Sequence, residues 1–159
     1  MRKMVLSIFV DNTFGVLSRV AGLFSRRGYN IDSLTVGETE NPEYSRMTVV
    51  VTGDEQILDQ IKKQVEKLED VKEVKELSPD SSVYRELILV KIAATKEARQ
   101  GVISIAEIFR AKVVDVTPDS LTAELTGDQS KLEAFLKLLS DYKILEIART
   151  GITGLSRGV

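Results

Sequence analysis

Cysteine, histidine and tryptophan are all absent from this 159-residue chain. Without cysteine there is no disulfide framework and no thiolate nucleophile. Without histidine or cysteine, the usual zinc, copper and iron sites lose their ordinary ligands, and serine–histidine or cysteine–histidine catalysis loses its base. No apolar run approaches the ~20 residues that cross a bilayer. No basic segment with a long apolar core and a small-residue cleavage site opens the sequence. A cytoplasmic protein with no membrane association is therefore expected. An excess of one charge is missing too: 22 Lys and Arg meet 24 Asp and Glu, a net charge of −2. No whole-molecule field draws such a chain to nucleic acid. What is present is a 43% hydrophobic composition, enough for one compact domain or two very small ones.

The hydrophobic positions repeat. Leu6, Ile8 and Val10 alternate as one face of a strand; from Gly15 the period lengthens, with Val16, Leu17, Val20, Leu23 and Phe24 on one helical face. Gly28 is placed to stop that helix, since glycine tolerates positive φ. Residues 30–38 and 45–52 read as strands. Asp54 opens a second helix with Ile57, Leu58, Ile61, Val65 and Leu68 inward, and residues 71–77 form a more polar strand. The order βαββαβ then starts again: strand 86–93, a helix bearing Val102, Ile103, Ala106 and Phe109, strands 112–116 and 121–126, helix 130–139, strand 144–150. Letters agree with the pattern, because MTVVVTGD from Met47 matches LTAELTGD from Leu121, 74 residues on. Upstream, aligning Asp32 with Asp115 gives an offset of 83 and implies a second copy nine residues shorter between its middle strands. Residues 39–44, with Asn41-Pro42, are then an extra loop of the first copy. The fold class predicted is α+β, two ferredoxin-like βαββαβ sandwiches in tandem: a first domain over 1–77, a linker over 78–83 (within it Ser-Pro-Asp-Ser-Ser) and a second domain over 84–159.

The copies differ at their first strand–helix loop. The first has Asp11-Asn12-Thr13-Phe14-Gly15-Val16-Leu17, the second Ala94-Thr95-Lys96-Glu97-Ala98-Arg99. A glycine at a helix mouth lets backbone approach a ligand, and the free N–H groups of the first turn favour a carboxylate. Asp11 and Asn12 offer acceptors for an ammonium group, and Val16 and Leu17 offer apolar lining. Those letters suit an amino-acid zwitterion. They suit equally a plain turn with an N-cap, and Gly28-Tyr29-Asn30 is in the same position; the residues alone leave both readings open.

Two stretches carry a resemblance that goes further. Asp11-Asn12-x-x-Gly15-Val16-Leu17-Ser18-Arg19-Val20, followed by Leu23-Phe24-Ser25-Arg26-Arg27-Gly28-Tyr29-Asn30-Ile31-Asp32-Ser33-Leu34-Thr35-Val36, resembles the ACT domain of the acetolactate synthase small-subunit family. Ser45-Arg46-Met47-Thr48, the run Ile108 to Val116, and Glu146 to Ile152 with Gly154-Leu155-Ser156-Arg157-Gly158 resemble the same family, in order along essentially the whole chain. The Asn-x-x-Gly element marks ACT domains generally; the Arg-Gly-Tyr-Asn-Ile run with Phe-Arg-Ala-Lys is particular to this family. The resemblance implies a non-catalytic regulatory subunit that activates a catalytic (large) subunit and confers feedback inhibition by valine in branched-chain amino-acid biosynthesis, of valine and isoleucine alike. It implies a homodimer through the ACT domain, with Asn12, Gly15, Val16 and Leu17 of one subunit and Asn30 and Ile31 of the other around valine. It implies no cofactor or metal in this chain, and thiamin diphosphate, magnesium and FAD in the catalytic partner. The second copy lacks Asn-x-x-Gly, so no second valine site of that kind is expected.

Three other readings compete. A free-standing ACT-domain amino-acid sensor acting on another enzyme or transporter shares the first domain. An RNA-recognition module shares βαββαβ but needs stacking aromatics on its central strands, where Phe9 is the one ring evident. A small hydrolase with Arg19 as anion binder finds no residue pair with acid–base spacing. Fold by itself decides none of these.

Overall fold

Strict alternation over Met4, Leu6, Ile8 and Val10 makes the first strand two-faced, and β1 (Arg2–Asp11) buries all four on its helix-covered side. α1 (Val16–Arg26) lays Val16, Val20, Leu23 and Phe24 over it. α1 stops as the glycine predicts: Gly28 adopts φ 70, Tyr29 N–H donates to the Phe24 carbonyl at 2.9 Å and Gly28 N–H to Ser25 at 3.1 Å. β2 (Ile31–Glu38), β3 (Tyr44–Gly53), α2 (Glu55–Glu66) and β4 (Val71–Glu76) complete an antiparallel sheet of order β2-β3-β1-β4 with both helices on one face. Asp54 caps α2 by accepting from Ile57 N–H at 2.9 Å. Leu58, Ile61 and Val65 of α2 are buried, whereas Ile57 is left exposed.

The second copy runs β5 (Ser82–Ala93), α3 (Lys96–Phe109), β6 (Lys112–Val116), β7 (Ser120–Gly127), α4 (Gln129–Leu138) and β8 (Ile144–Arg149), with sheet order β6-β7-β5-β8. Its core gathers Ile88, Val90 and Ile92 of β5 with Leu121, Ala123, Leu125, Val102, Leu132 and Phe135. Phe135 meets Phe109 edge-on, ring centroids 5.3 Å apart. Two ferredoxin-like βαββαβ sheets with their helices are thus present, as the periodicity predicts.

The computed structural model describes Met1–Val159 and divides into two compact units, one of Met1–Tyr84 with Gly151–Val159, the other of Arg85–Thr150. Three expectations need revising. First, residues 151–159 group with the first unit, and their short strand β9 (Thr153–Ser156), which pairs with β5, is one the sequence pattern did not show. The physical reason is a small second core on the sheet face away from the helices, where Ile152 is 3% exposed among Val5, Val50 and Leu77, with Tyr84 against them. Second, the anticipated linker is a single 3-10 turn, Pro79–Ser81, and strand begins at Ser82. Third, the copies differ by six residues in the middle hairpin rather than nine. Val36 pairs with Met47, eleven positions on, whereas Val116 pairs with Leu121, five on. In register Asp115 corresponds to Thr35 and not to Asp32, because each pairs with the same position of the repeated strand, Thr122 and Thr48.

Candidate functional site

The β1–α1 loop is built differently from every other helix entrance in the chain. Asp54, Thr95 and Asp128 each cap an α-helix with a side-chain oxygen, but α1 begins behind Gly15 at φ 85, ψ −3, with no side-chain cap. In that left-handed conformation an L side chain costs roughly 1–2 kcal/mol, which glycine avoids. Val16 N–H leans on the Thr13 carbonyl at 3.4 Å, and the next internal bond is from Arg19 N–H to Gly15 at 3.0 Å. The N–H groups of Leu17 and Ser18 have no acceptor in the chain, so the positive end of the helix faces outward unneutralised.

Asn12 is fixed from behind. Its backbone N–H donates to Glu43 at 2.7 Å and its Nδ2 to the Pro42 carbonyl at 2.9 Å. Those partners lie in the hairpin that the second copy shortens, so the extra residues of the first copy hold Asn12. Asp11 is engaged by Lys72 at 3.4 Å. Val16 places its side chain in the core at 4% exposure, so only its backbone reaches the loop, while Leu17 is 46% exposed and beside it. Arg19 donates Nε to Asp70 Oδ2 at 2.5 Å, and this hydrogen bond holds the Asp70 carboxyl below its ordinary range. Phe14 is fully exposed at the loop tip.

Asn30 and Ile31 lie elsewhere. Ile31 pairs with Val51, which pairs in turn with Met4, at the opposite end of β1 from Asn12. Eight residue steps of strand separate those levels, roughly 27 Å at ~3.4 Å each. One chain therefore brings together Asn12, Gly15, Val16 and Leu17, and does not bring Asn30 or Ile31 to them.

In the second copy the same junction carries a side-chain cap. Thr95 follows β5 almost at once and accepts from Ala98 N–H at 3.3 Å, so α3 starts where the first copy has its loop. Arg99 Nη2 there donates to the Thr117 and Pro118 carbonyls at 3.1 and 3.4 Å. The open face of the first sheet also differs from expectation: Tyr44 belongs to β3 and its ring lies 4.9 Å from Phe9, so two aromatics are adjacent rather than one. They stack on each other, and Arg46 lies 5.3 Å over Phe9 while donating to Ser7 Oγ at 2.8 Å. No helix is long and apolar enough to cross a membrane, and no cluster of three or more acidic, histidine or cysteine ligands is present.

The likenesses to known proteins fall on both units. Residues 6–73 match the family described as AHAS small subunit-like ACT domain, and residues 85–158 match the family described as small subunit of acetolactate synthase. The chain is 51% identical over 155 residues to the probable acetolactate synthase small subunit of Methanothermobacter thermautotrophicus, covering 97% of this chain and 92% of that protein. It is 52% identical over 155 residues to the acetolactate synthase isozyme 3 small subunit of Escherichia coli, covering 97% and 95%. The crystal structure of the acetolactate synthase small subunit from Thermotoga maritima superposes with a TM-score of 0.91 at 42% identity, covering 100% of this chain and 99% of that one. With both units matched in order and at full length, the chain belongs to the acetolactate synthase small-subunit family, its first unit an ACT domain.

Proposed function

We propose that this subunit activates the thiamin-diphosphate-dependent catalytic subunit without turning over substrate itself, and that it binds valine at the β1–α1 loop, in the interface of a homodimer, and thereby confers feedback inhibition. The observation that carries the reading is the α1 entrance: an uncapped helix N-terminus behind a left-handed glycine. The valine carboxylate takes the N–H groups at Leu17 and Ser18. Its ammonium faces Asn12 Oδ1, and its isopropyl group lies against Leu17. Asn30 and Ile31 of the partner subunit close the site.

Two edges favour β2 as the dimer strand. β2 is one of the two unpaired margins of its sheet, β4 being the other, and runs in regular register from Ser33 to Glu38 after an irregularity at Asp32. The corresponding margin β6 is five residues long and has its irregularity in the middle, at Val114, which blunts it for pairing. A ligand shared across the β2 contact tightens the dimer by linkage.

The test is reconstitution. The purified chain alone forms no acetolactate from pyruvate; added to the catalytic subunit it raises that enzyme's rate, and valine lowers the raised rate. Valine and not an unrelated amino acid gives heat on titration into the isolated chain. An absence of valine response in the reconstituted enzyme removes the effector assignment. Such a result favours a free-standing sensor only if another amino acid binds the same loop.

A further inference from the structure

We propose that Gly151 and Ile152, which follow the second unit in sequence, are positioning residues for the effector site: they fix the β2 strand that supplies half of it. The proposal rests on the valine site described above and adds what controls its second half.

The segment lies directly on the open face of β2. Thr35 Oγ1 donates to the Ile152 carbonyl at 3.3 Å, and Ile152 N–H points to Ser33 Oγ at 3.5 Å. These bonds alternate with the β2 residues that face the helices, so they clasp the strand from its face and leave its backbone edge free to pair with a second copy. Contact is as close as backbone allows. A Cβ on Gly151 would lie 2.9 Å from Ser33 Cβ and 3.5 Å from Leu34 N, and Gly151 sits at φ 85. Only glycine meets both demands without strain. Ile152 then anchors the clasp, buried among Val5, Val50 and Leu77. Gly154 continues it, where a Cβ would meet Tyr84 at 3.0 Å and Leu77 at 3.1 Å.

β2 has need of such a clasp. It is bonded on one side only, to β3, and its irregularity at Asp32 falls between Asn30–Ile31 and the regular stretch. The segment grips Ser33 and Thr35, the first face residues after that irregularity. Whatever holds them sets where Asn30 and Ile31 project. Thr150 closes the second unit and Gly151 rejoins the first, so a displacement at that junction reaches β2 through a single peptide bond.

The experiment uses the full chain with Ile152→Ala, Ile152→Val and Thr35→Val, read by amide hydrogen exchange without ligand and by calorimetric valine titration. Ile152→Ala should speed exchange of the β2 amides about tenfold or more relative to those joining β1 and β3. It should weaken valine binding about fivefold or more. Ile152→Val should restore most of both effects, and Thr35→Val, which keeps the shape but deletes the donor, should give the same pattern more weakly. Exchange that rises uniformly over the first unit, or valine affinity that stays at the unsubstituted value while β2 loosens, overturns the proposal. If Ile152→Ala does not fold, Thr35→Val decides by the same two readings. Failure of the effector reading itself is recognised separately, because the unsubstituted chain then gives no valine heat.

Discussion

Placing an aspartate at Gly15 tests the effector loop most sharply, provided its two consequences are separated. Gly15 sits at φ 85, ψ −3, so any L residue there costs roughly 1–2 kcal/mol of backbone strain. A Cβ would lie 2.9 Å from Arg19 Nη1, the far end of a flexible side chain that is 51% exposed and free to move aside. Gly15→Ala carries those terms and no charge. Gly15→Asp adds a carboxylate about 4 Å from where the valine carboxylate binds, a repulsion of roughly 1–4 kcal/mol at effective dielectrics of 80 to 20. Arg19 beside the new carboxylate offsets part of it, which places the effect in the lower half of that range, about 1–2 kcal/mol. Valine binding by Gly15→Asp should therefore be ~5- to 30-fold weaker than by Gly15→Ala. The assay is acetolactate formation by the reconstituted enzyme across a valine titration, with calorimetry on the isolated subunits and thermal melts to confirm that both variants fold. Equal valine sensitivity of the alanine and aspartate variants would refute the placement of the carboxylate at the α1 entrance.

Val36→Lys puts a charge on the exposed margin of β2, where Val36 is 45% exposed, and should convert the dimer to monomer in sedimentation; an unchanged dimer rules out β2 as the interface. Asp70→Asn removes the acceptor of Arg19. Because that hydrogen bond lowers the Asp70 pKa in the folded chain, its stabilisation is present above the unfolded value near ~4 and lost as pH falls through the folded value. The variant should melt lower than wild type at pH 7 and lose less stability between pH ~5 and ~2. Parallel melting curves for the two proteins over that window would show that the ion pair contributes nothing.

The repeated architecture was legible because each element announces itself locally. β1 alternates, α1 recurs on one face, Gly28 and Asp54 mark a stop and a start, and every one of these acts through neighbours a few residues away. The loop at Asn12 and Gly15 was visible as a difference between copies, though not whether its glycine was left-handed or its helix uncapped. Long-range facts were not legible. Val16 reads in the sequence both as pocket lining and as part of the α1 face, and the structure buries it with Val20, Leu23 and Phe24. Ile152 follows a strand of the other unit and carries no periodicity, since a single buried anchor makes no pattern. Register misled for a related reason: the shared letter at Asp32 and Asp115 lies next to strand irregularities, at Asp32 itself and at Val114, which shift pairing by a residue without changing composition.

The return of residues 151–159 to the first unit has a temporal side. A ribosome delivers Val5, Val50 and Leu77 long before Ile152; at ~5–20 residues per second the intervening 75 or so residues take roughly 4–15 s. Throughout that interval the apolar patch under Ile152 has no cover, and β2 lacks its clasp. The first unit to emerge is thus the last to be finished. Chains interrupted in between present an uncovered patch and a loose sheet margin, features that quality control can recognise and that a completed chain hides.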